Sequence, residues 1–367
     1  MKAAIITCFE SNEERADLIY EVCKRKGYDS IILTSDFSHI RKEFRTGVPE
    51  HFEAIRTRPY RRNLSVQRML SHRRFAKDVF LETEKYRPDL IWLMAPANSL
   101  IKEADKYKQK YPETKLILDI IDMWPESLPL PITKDLLPFR LWKNIRKNSI
   151  RCADLLATEC DLYQQTLKEE YDGTMKTLYW SRKPENQISS GLKSEDDKLT
   201  LCYIGSINNL IDIDRIVSVV SGIDEAVRVH VIGDGEKCDK FLAALKTTAE
   251  TVYHGPVRDG KKKAEIFEKC HAGINLYKEG LYIGLTVKCI DYFEHGLPII
   301  NNIKGDTWKL VEKYHAGFNI SPKSLIKGEE IRSARNSSKE IRKLFERFFS
   351  SEAFMRNCSD AIDEVMQ

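Results

Sequence analysis

At 367 residues the chain is long enough for two domains of about 150 residues each. Its 42% hydrophobic and 31% charged residues are ordinary for a soluble globular protein, and a net charge of +4 is too small to diagnose a partner. The nine cysteines stand singly, at 8, 23, 152, 160, 202, 238, 270, 289 and 358. An odd count without CxxC spacing argues against a disulfide framework or a zinc site and for reduced cytoplasmic thiols. The short apolar run between Lys2 and Glu10 predicts no signal peptide, and no run approaches the ~18 apolar residues of a membrane span.

Residues 2–7 read as a buried strand, 13–26 as an amphipathic helix closed by Gly27, and 30–34 as a second strand. Residues 89–95 (DLIWLMA), 115–121 (KLILDII) and 154–158 read as further strands, with a helix over 99–109. Strands alternating with helices predict a parallel sheet with crossover connections. The first turn, 8–12, contains no glycine, so this half lacks the GxGxxG of a dinucleotide-binding enzyme. Its strand ends offer Glu10, Ser11, Asn12, Asp36, Asn98, Asp122 and Glu159. Within IIDMWPES (residues 120–127), Trp124 could stack on a sugar ring while Asp122 and Glu126 bond its hydroxyls. The plainer alternative is that Trp124-Pro125 packs a loop corner and Asp122 caps it.

Residues 41–77 hold eleven Lys and Arg against three Glu, a local balance of +8, interleaved with Phe44, Phe52, Tyr60, Leu64, Met69, Leu70 and Phe75. Such a run is either a solvated helix face or a surface for anionic headgroups or a polyprenyl-diphosphate, since basic amphipathic stretches gain from both burial and charge. Nucleic acid ranks last, because no helix-turn-helix, RRM, KH or zinc-finger wording accompanies the charge.

Fourteen of the 17 glycines lie after residue 183, and the polar stretch 182–198 has linker composition. The expected division is therefore 1–182, 183–340 and a helical end, 341–367. A new α/β pattern begins with strand 199–204, ending at Gly205-Ser206, then a helix over 213–220. Strand 227–232 ends at Gly233-Asp234-Gly235, and Val252-Tyr253 ends at His254-Gly255. Asp212 and Asp214 fit the letters of a metal-binding DxD but stand at a predicted helix start, where capping explains them.

The most informative stretch is 273–302, GINLYKEGLYIGLTVKCIDYFEHGLPIINN. It reads as a strand, a loop with Gly280 and Gly284, a helix with Thr286 at its N-cap, a stop at Gly296 before Pro298, and a strand from 297 to 300. Lys288, Asp291 and His295 fall at offsets of three and four, on one helix face. A helix N-terminus holds phosphate through free N–H groups and its dipole. A cation and a carboxylate beside it suit a nucleoside diphosphate, the cation for the diphosphate and the carboxylate for ribose hydroxyls. Taken alone, Lys288 and Asp291 also read as a surface ion pair worth ~0.2–0.5 kcal/mol.

In these words the chain resembles the retaining GT-B glycosyltransferases of the large family 4, which build many bacterial capsules and O-antigens. There an acidic residue is followed by a short helix and a GLP turn into a buried strand, as Asp291 is followed by Tyr-Phe-Glu-His-Gly-Leu-Pro298. One branch has a Lys three before the acid and a Tyr directly after it, the places of Lys288 and Tyr292. The family's GS, GDG and HG turns match Gly205-Ser206, Gly233-Asp234-Gly235 and His254-Gly255. The WPES loop resembles that of transferases that extend lipid-linked sugars.

The resemblance implies an α/β fold of GT-B type, two Rossmann-like parallel-sheet domains facing a cleft, with the last helix returning to the first domain. It implies a nucleotide-sugar donor, by default a UDP-sugar, held by those turns with Thr286, Lys288 and Asp291. Lys288 would face the diphosphate and Asp291 the ribose. A glycan or lipid-linked acceptor would meet Asn98, Asp122, Trp124 and Glu126, and Lys288 and Asp122 are the catalytic candidates. No cofactor or metal is implied, and the expected place is the cytoplasm, with peripheral contact at the inner membrane face through 41–77. Two departures stand out. The family's second Glu, eight residues before the acid, is Ile283 here, and Glu279 lies four residues too early. Asn208 and Asn209 stand where a phosphate-holding basic residue is expected, leaving Arg215 as its candidate. A sugar-nucleotide epimerase or hydrolase on the same fold, or a non-catalytic partner of another transferase, are the rival readings.

Overall fold

The computed structural model describes residues 1–128, 136–183, 192, 197–322 and 324–367. Most of the expected linker, at 184–191 and 193–196, lies outside the described residues. The chain forms two compact units, Met1–Trp180 with Phe354–Gln367, and Ser181–Ala353.

The first unit runs β1 (Lys2–Ile6), α1 (Glu13–Arg25), β2 (Asp29–Ser35), β3 (Phe52–Ile55), α2 (Val66–Tyr86), β4 (Leu90–Ala95), α3 (Asn98–Lys110), β5 (Lys115–Ile120), α4 (Leu137–Ser149), β6 (Leu155–Thr158), α5 (Asp161–Leu167) and β7 (Met175–Thr177). Its seven strands are parallel in the order β3-β2-β1-β4-β5-β6-β7. Every residue of β4 is buried, because helices cover both faces of a parallel sheet and leave no solvent side. One core cluster joins Ile5, Trp92 and Met94 to Ile19, Val22 and Cys23 of α1, and each such side chain contributes ~1.5–3 kcal/mol of burial. The same cluster contains Asp119's partner helix α1. Arg15 forks onto Asp119 at 2.8 and 2.9 Å, and Trp92 Nε1 donates to that carboxylate at 3.1 Å.

The second unit runs β8 (Leu199–Ile204), α6 (Ile213–Ser221), β9 (Val227–Ile232), α7 (Cys238–Leu245), β10 (Glu250–Gly255), α8 (Gly260–Phe267), β11 (Ala272–Asn275), α9 (Val287–Glu294), β12 (Ile299–Asn301), α10 (Asp306–Tyr314), β13 (Gly317–Asn319), α11 (Gly328–Ala334) and α12 (Ser338–Phe348). Its six parallel strands lie in the order β10-β9-β8-β11-β12-β13. The last helix, α13 (Ser351–Met366), begins in this unit, and from Phe354 it belongs to the first, where Phe354, Cys358, Ala361 and Ile362 join the core.

In both sheets the unit's first strand is a switch point. β1 has β2 on one side and β4 on the other, and β8 stands likewise between β9 and β11. The loops after such neighbouring strands diverge, and ligands of open α/β sheets bind in the crevice they leave.

Candidate functional site

In the second unit the crevice lies beyond β8 and β11, and α9 starts there. Tyr292, one turn into α9, fixes the helix. Its hydroxyl accepts from Ile204 N at 3.0 Å and makes bonds of 3.0 and 3.3 Å to the carbonyls of Cys202 and Ile274. Its ring lies flat on Gly273, where any Cβ would come within 2.7 Å of it. Lys288 is thereby carried under the rim. It is 6% exposed, with Nζ 4.1 Å from the ring centre of Tyr203 and 4.7 Å from that of Tyr277. No hydrogen bond reaches the buried Nζ. Burial pulls its pKa down to about 7, only partly opposed by the thiols of Cys289 and Cys202. The tyrosine faces favour the ammonium by ~0.5–2 kcal/mol, less than a full counter-charge would.

The three glycine turns form one hydrogen-bonded rim. Gly205 N donates to Ile232 O at 3.0 Å, Gly233 N to Gly255 O at 2.9 Å, and Ile207 N to Asp234 O at 2.9 Å. A Cβ on Gly233 would sit 2.0 Å from Gly205 O, and one on Gly235 would sit 2.5 Å from Ile207 O. These glycines are thus required by turn packing against turn, a reason independent of any ligand. Gly205 differs: a Cβ there would stand 3.5 Å from Lys288 Cε and 3.8 Å from Nζ, so its bare backbone borders the ammonium. Ser206 contributes its carbonyl to Tyr203 Oη at 2.8 Å, and Asp234 Oδ1 accepts from Gly235 N at 2.7 Å. His254 stacks on His230 with ring centres 5.1 Å apart and a 2.8 Å bond between Nε2 and Nδ1. Burial, with Lys262 and Lys269, lowers the pKa of His254.

Several expected roles are redistributed. Thr286 stands at the N-cap of α9, but its hydroxyl does not cap; it donates to Asn275 Oδ1 at 2.9 Å. Asp291, 7% exposed, makes no pair with Lys288; its Oδ1 lies 3.3 Å from Lys263 Nζ and 3.8 Å from Arg182 Nε. His295 bonds back to Asp291 O at 2.9 Å, and burial lowers its pKa to about 4. Arg215 turns to the carbonyls of Ser321 and Pro322, while Asp212 caps α6 by accepting from Arg215 N at 3.0 Å. Glu279 is exposed in the loop and Ile283 is half-buried.

Sequence reasoning passed over two features. Tyr203 and Tyr277, which the sequence shows only as members of apolar strand runs, supply the faces around Lys288. Asn275, Asn301 and Asn319 stand in register at the ends of β11, β12 and β13 and bond side chain to side chain at 2.8 Å. Their signal was present: GIN, IIN and GFN each close an apolar run with the same amide. This ladder holds the loop after β11 through Thr286 and so fixes where α9 begins.

The first unit does gather Asn98, Asp122, Trp124 and Glu126, but largely onto one another. Asp122 accepts from Trp124 Nε1 at 2.6 Å and from the Ser127 hydroxyl; burial still raises its pKa. Trp124 is 8% exposed, with Arg68 Cζ 4.4 Å from its ring centre and His72 stacked at 6.2 Å. The expected sugar-stacking face is therefore covered by protein, and the loop-corner reading accounts for the ring. Glu126 receives Arg146 at 2.8 and 2.9 Å, and that pairing holds its carboxyl pKa down against burial. Asn98 Nδ2 donates to the carbonyls of Trp124 and Trp142 at 3.2 and 3.1 Å.

Residues 41–77 are not one amphipathic element. They contain β3, the loops around it and the start of α2, with Phe52, Tyr60 and Phe75 buried. Arg45 pairs with Glu13 and Arg68 turns inward, whereas Arg58, Arg61, Arg62, Arg73 and Arg74 face outward beside exposed Leu64, Val66, Met69 and Leu70. Val66, Met69 and Leu70 also line a groove of about 370 Å³ with Trp142 and Ile145. Among the described residues no helix is long and apolar enough to cross a membrane.

No family model matches the chain, and no curated protein matches its sequence. Solved structures do match its fold. Sucrose-phosphate synthase from Thermosynechococcus elongatus superposes with a TM-score of 0.71 at 12% identity, over 100% of this chain and 99% of that one. Anabaena Alr3699/HepE in complex with UDP gives 0.70 at 10% identity, over 99% and 100%. The apo form of the lipopolysaccharide outer core galactosyltransferase WaaB gives 0.68 at 13% identity, over 99% of each. With its two all-parallel sheets, the chain has the two-Rossmann architecture of the GT-B fold.

Proposed function

We propose that the chain is a retaining glycosyltransferase that moves a sugar from a nucleoside-diphosphate donor, by default UDP, to a glycan or lipid-linked glycan in surface polysaccharide assembly. One observation carries it: a buried ammonium without a hydrogen-bonding partner, at the switch point of the second sheet, beside a bare glycine turn. Such a group is costly unless an anion arrives to bond it. Fold neighbours solved with UDP and with UDP-glucose support the choice of ligand.

In this reading the donor's diphosphate lies against the Gly205 turn and the start of α9. Lys288 and the first-turn amides stabilise the charge that grows on the diphosphate as the anomeric C–O bond breaks. The acceptor oxygen bonds the same face of the sugar, and its proton passes to a phosphate oxygen of the leaving group. No protein base and no metal enters that step. The first unit takes the acceptor, with Asp122 and its loop as the proposed contact. Its outward arginines and exposed leucines are proposed to rest on an anionic membrane face, where each cation is worth ~1 kcal/mol.

Calorimetry with UDP and GDP, followed by turnover of the sugar nucleotide by the purified chain, tests the proposal. Binding with turnover supports it, and absence of both sinks it. Binding without turnover would favour the non-catalytic partner, for which Ile283 in place of the family's Glu already speaks. Sedimentation with anionic vesicles at low salt tests the membrane contact separately.

A further inference from the structure

Two of the buried arginines in the first unit are neutralised by forked carboxylates. Arg15 has Asp119 at 2.8 and 2.9 Å, and Arg146 has Glu126 and Glu170 at 2.8–3.0 Å. Arg68 has none. It is 5% exposed and stands in the first turn of α2, whose N-cap Ser65 accepts from its backbone N at 3.2 Å. Nη1 donates to Asn63 O at 3.0 Å, Nε reaches His72 Nε2 at 3.4 Å, and the Tyr60 hydroxyl also interacts with the guanidinium. Rings flank the guanidinium at 4.4 Å (Trp124), 5.5 Å (Phe9) and 5.8 Å (Tyr60). These rings follow β5, β1 and β3, so the cation lies at the ligand-binding edge of its sheet.

The nearby carboxylates do not bond it, although the Asp122 charge favours the guanidinium from a distance. Glu10 is occupied by Ser38 Oγ at 2.7 Å, His39 N at 2.9 Å and Ile40 N at 2.8 Å, and Asp122 by Trp124 and Ser127. The remaining neighbours are Lys42 and two imidazoles kept neutral. Burial first, then Arg68 and Lys42, hold His39 at about 4; burial and Arg68 hold His72 well below its ordinary value. A purely structural filler of this aromatic box would be apolar, since burying a charge unpaired is penalised.

We propose that Arg68 anchors an anion in the first unit, and that the acceptor therefore carries a phosphate group. The planar guanidinium fork matches phosphate oxygens, and a helix first turn adds to the attraction. This rests on the reading that the first unit takes the acceptor. A soluble sugar phosphate and a lipid-linked phosphate offer the same chemistry.

The test uses the full chain carrying Lys288→Met, which silences the second unit's cation. One arm titrates it with glucose 1-phosphate, the other with neutral phosphatidylcholine vesicles with and without a polyprenyl monophosphate. Binding in one arm, weakened at least tenfold by Arg68→Gln and less by Arg68→Lys, supports the proposal and identifies the source. A readout without an Arg68 variant is the ring NMR of His39 and His72, whose pKa values should rise when an anion sits beside Arg68. Unmoved histidine signals with both probes, or equal binding by Arg68→Gln, overturn it. UDP calorimetry on the wild-type chain keeps the two readings apart. Lost phosphate binding with intact UDP binding removes only this inference, and the converse removes only the donor reading.

Discussion

Each unit buries a cation at the carboxyl edge of its parallel sheet, and among the described residues no carboxylate bonds either cation. Lys288 stands between Tyr203 and Tyr277, and Arg68 stands among Phe9, Tyr60 and Trp124. Deeper in the first sheet, Arg15 is equally buried but fully paired. The difference separates scaffold from site. A paired charge specifies packing and is complete as it stands, whereas an aromatic-lined, unpaired charge is stable only because packing forces it and an arriving anion would complete it.

The largest expected effect breaks the scaffold side. Asp119→Ala would leave Arg15 buried and uncompensated and should cost ~3–5 kcal/mol in urea unfolding. Arg68→Met should cost little or stabilise, because it removes a buried charge that no carboxylate bonds directly. Equal losses in the two variants would erase the distinction.

Next in size is the site side. Lys288→Met should weaken UDP binding by roughly tenfold to a hundredfold, the ~1.5–3 kcal/mol of a charged hydrogen bond, with the unfolding midpoint unchanged or raised. Calorimetry and a melt on the same preparation check both halves. Unaltered UDP affinity would return Lys288 to a core residue.

The same lysine predicts a pH dependence. It ionises at 10.5 ordinarily and at about 7 in the fold, because burial disfavours the ammonium. Between those values the unfolded chain holds the extra proton, so its contribution to stability rises with pH across the window; below about 7 the penalty is carried in full. UDP affinity should move the opposite way, falling above pH 7 by at most about tenfold per unit, since the anion selects the protonated form. Proton uptake on binding near pH 8, measured in buffers of different ionisation enthalpy and abolished in Lys288→Met, is the signature. Affinity flat from pH 6 to 9 would contradict it.

How far these features could be read from residues follows from where they lie. Central strands such as β4 announce themselves, because burial on both faces leaves an unbroken apolar run. Three edge strands did not. β3 has two exposed residues of four, and all three residues of β7 and of β13 are only half-buried, so neither alternation nor an apolar run marks them. Lys288 was legible because a helix start, a cation and a GLP exit lie within thirteen residues. Arg68 was not. It sits in a run of exposed arginines and looks like them; only Phe9 and Trp124, far away in sequence, turn it inward. The Asp122 loop shows the reverse case: its letters suit sugar binding, while the side-chain bonds that hold its shape close on the loop itself and could not be read from them.

The smallest expected effect concerns Asp291, which sharpens the comparison because it is a paired charge beside the unpaired one. Its Oδ1 lies near Lys263 and Arg182, so by the scaffold rule it is already complete. A carboxylate offers about four acceptor sites, however, and these two contacts leave Oδ2 for ribose hydroxyls. Asp291→Asn keeps the shape, removes the charge that Lys263 faces, and should weaken UDP only about twofold to tenfold, the ~0.5–1.5 kcal/mol of an ordinary hydrogen bond. Deoxy analogues decide what the loss means. If the acid bonds ribose, the variant and wild type should bind UDP differently but 2′,3′-dideoxy-UDP alike. If both ligands weaken equally, Asp291 acts by positioning Lys263, and the ribose assignment falls. If neither weakens, it is an ion pair of the scaffold, and Lys288 is the only residue of that helix face left to mark the donor site.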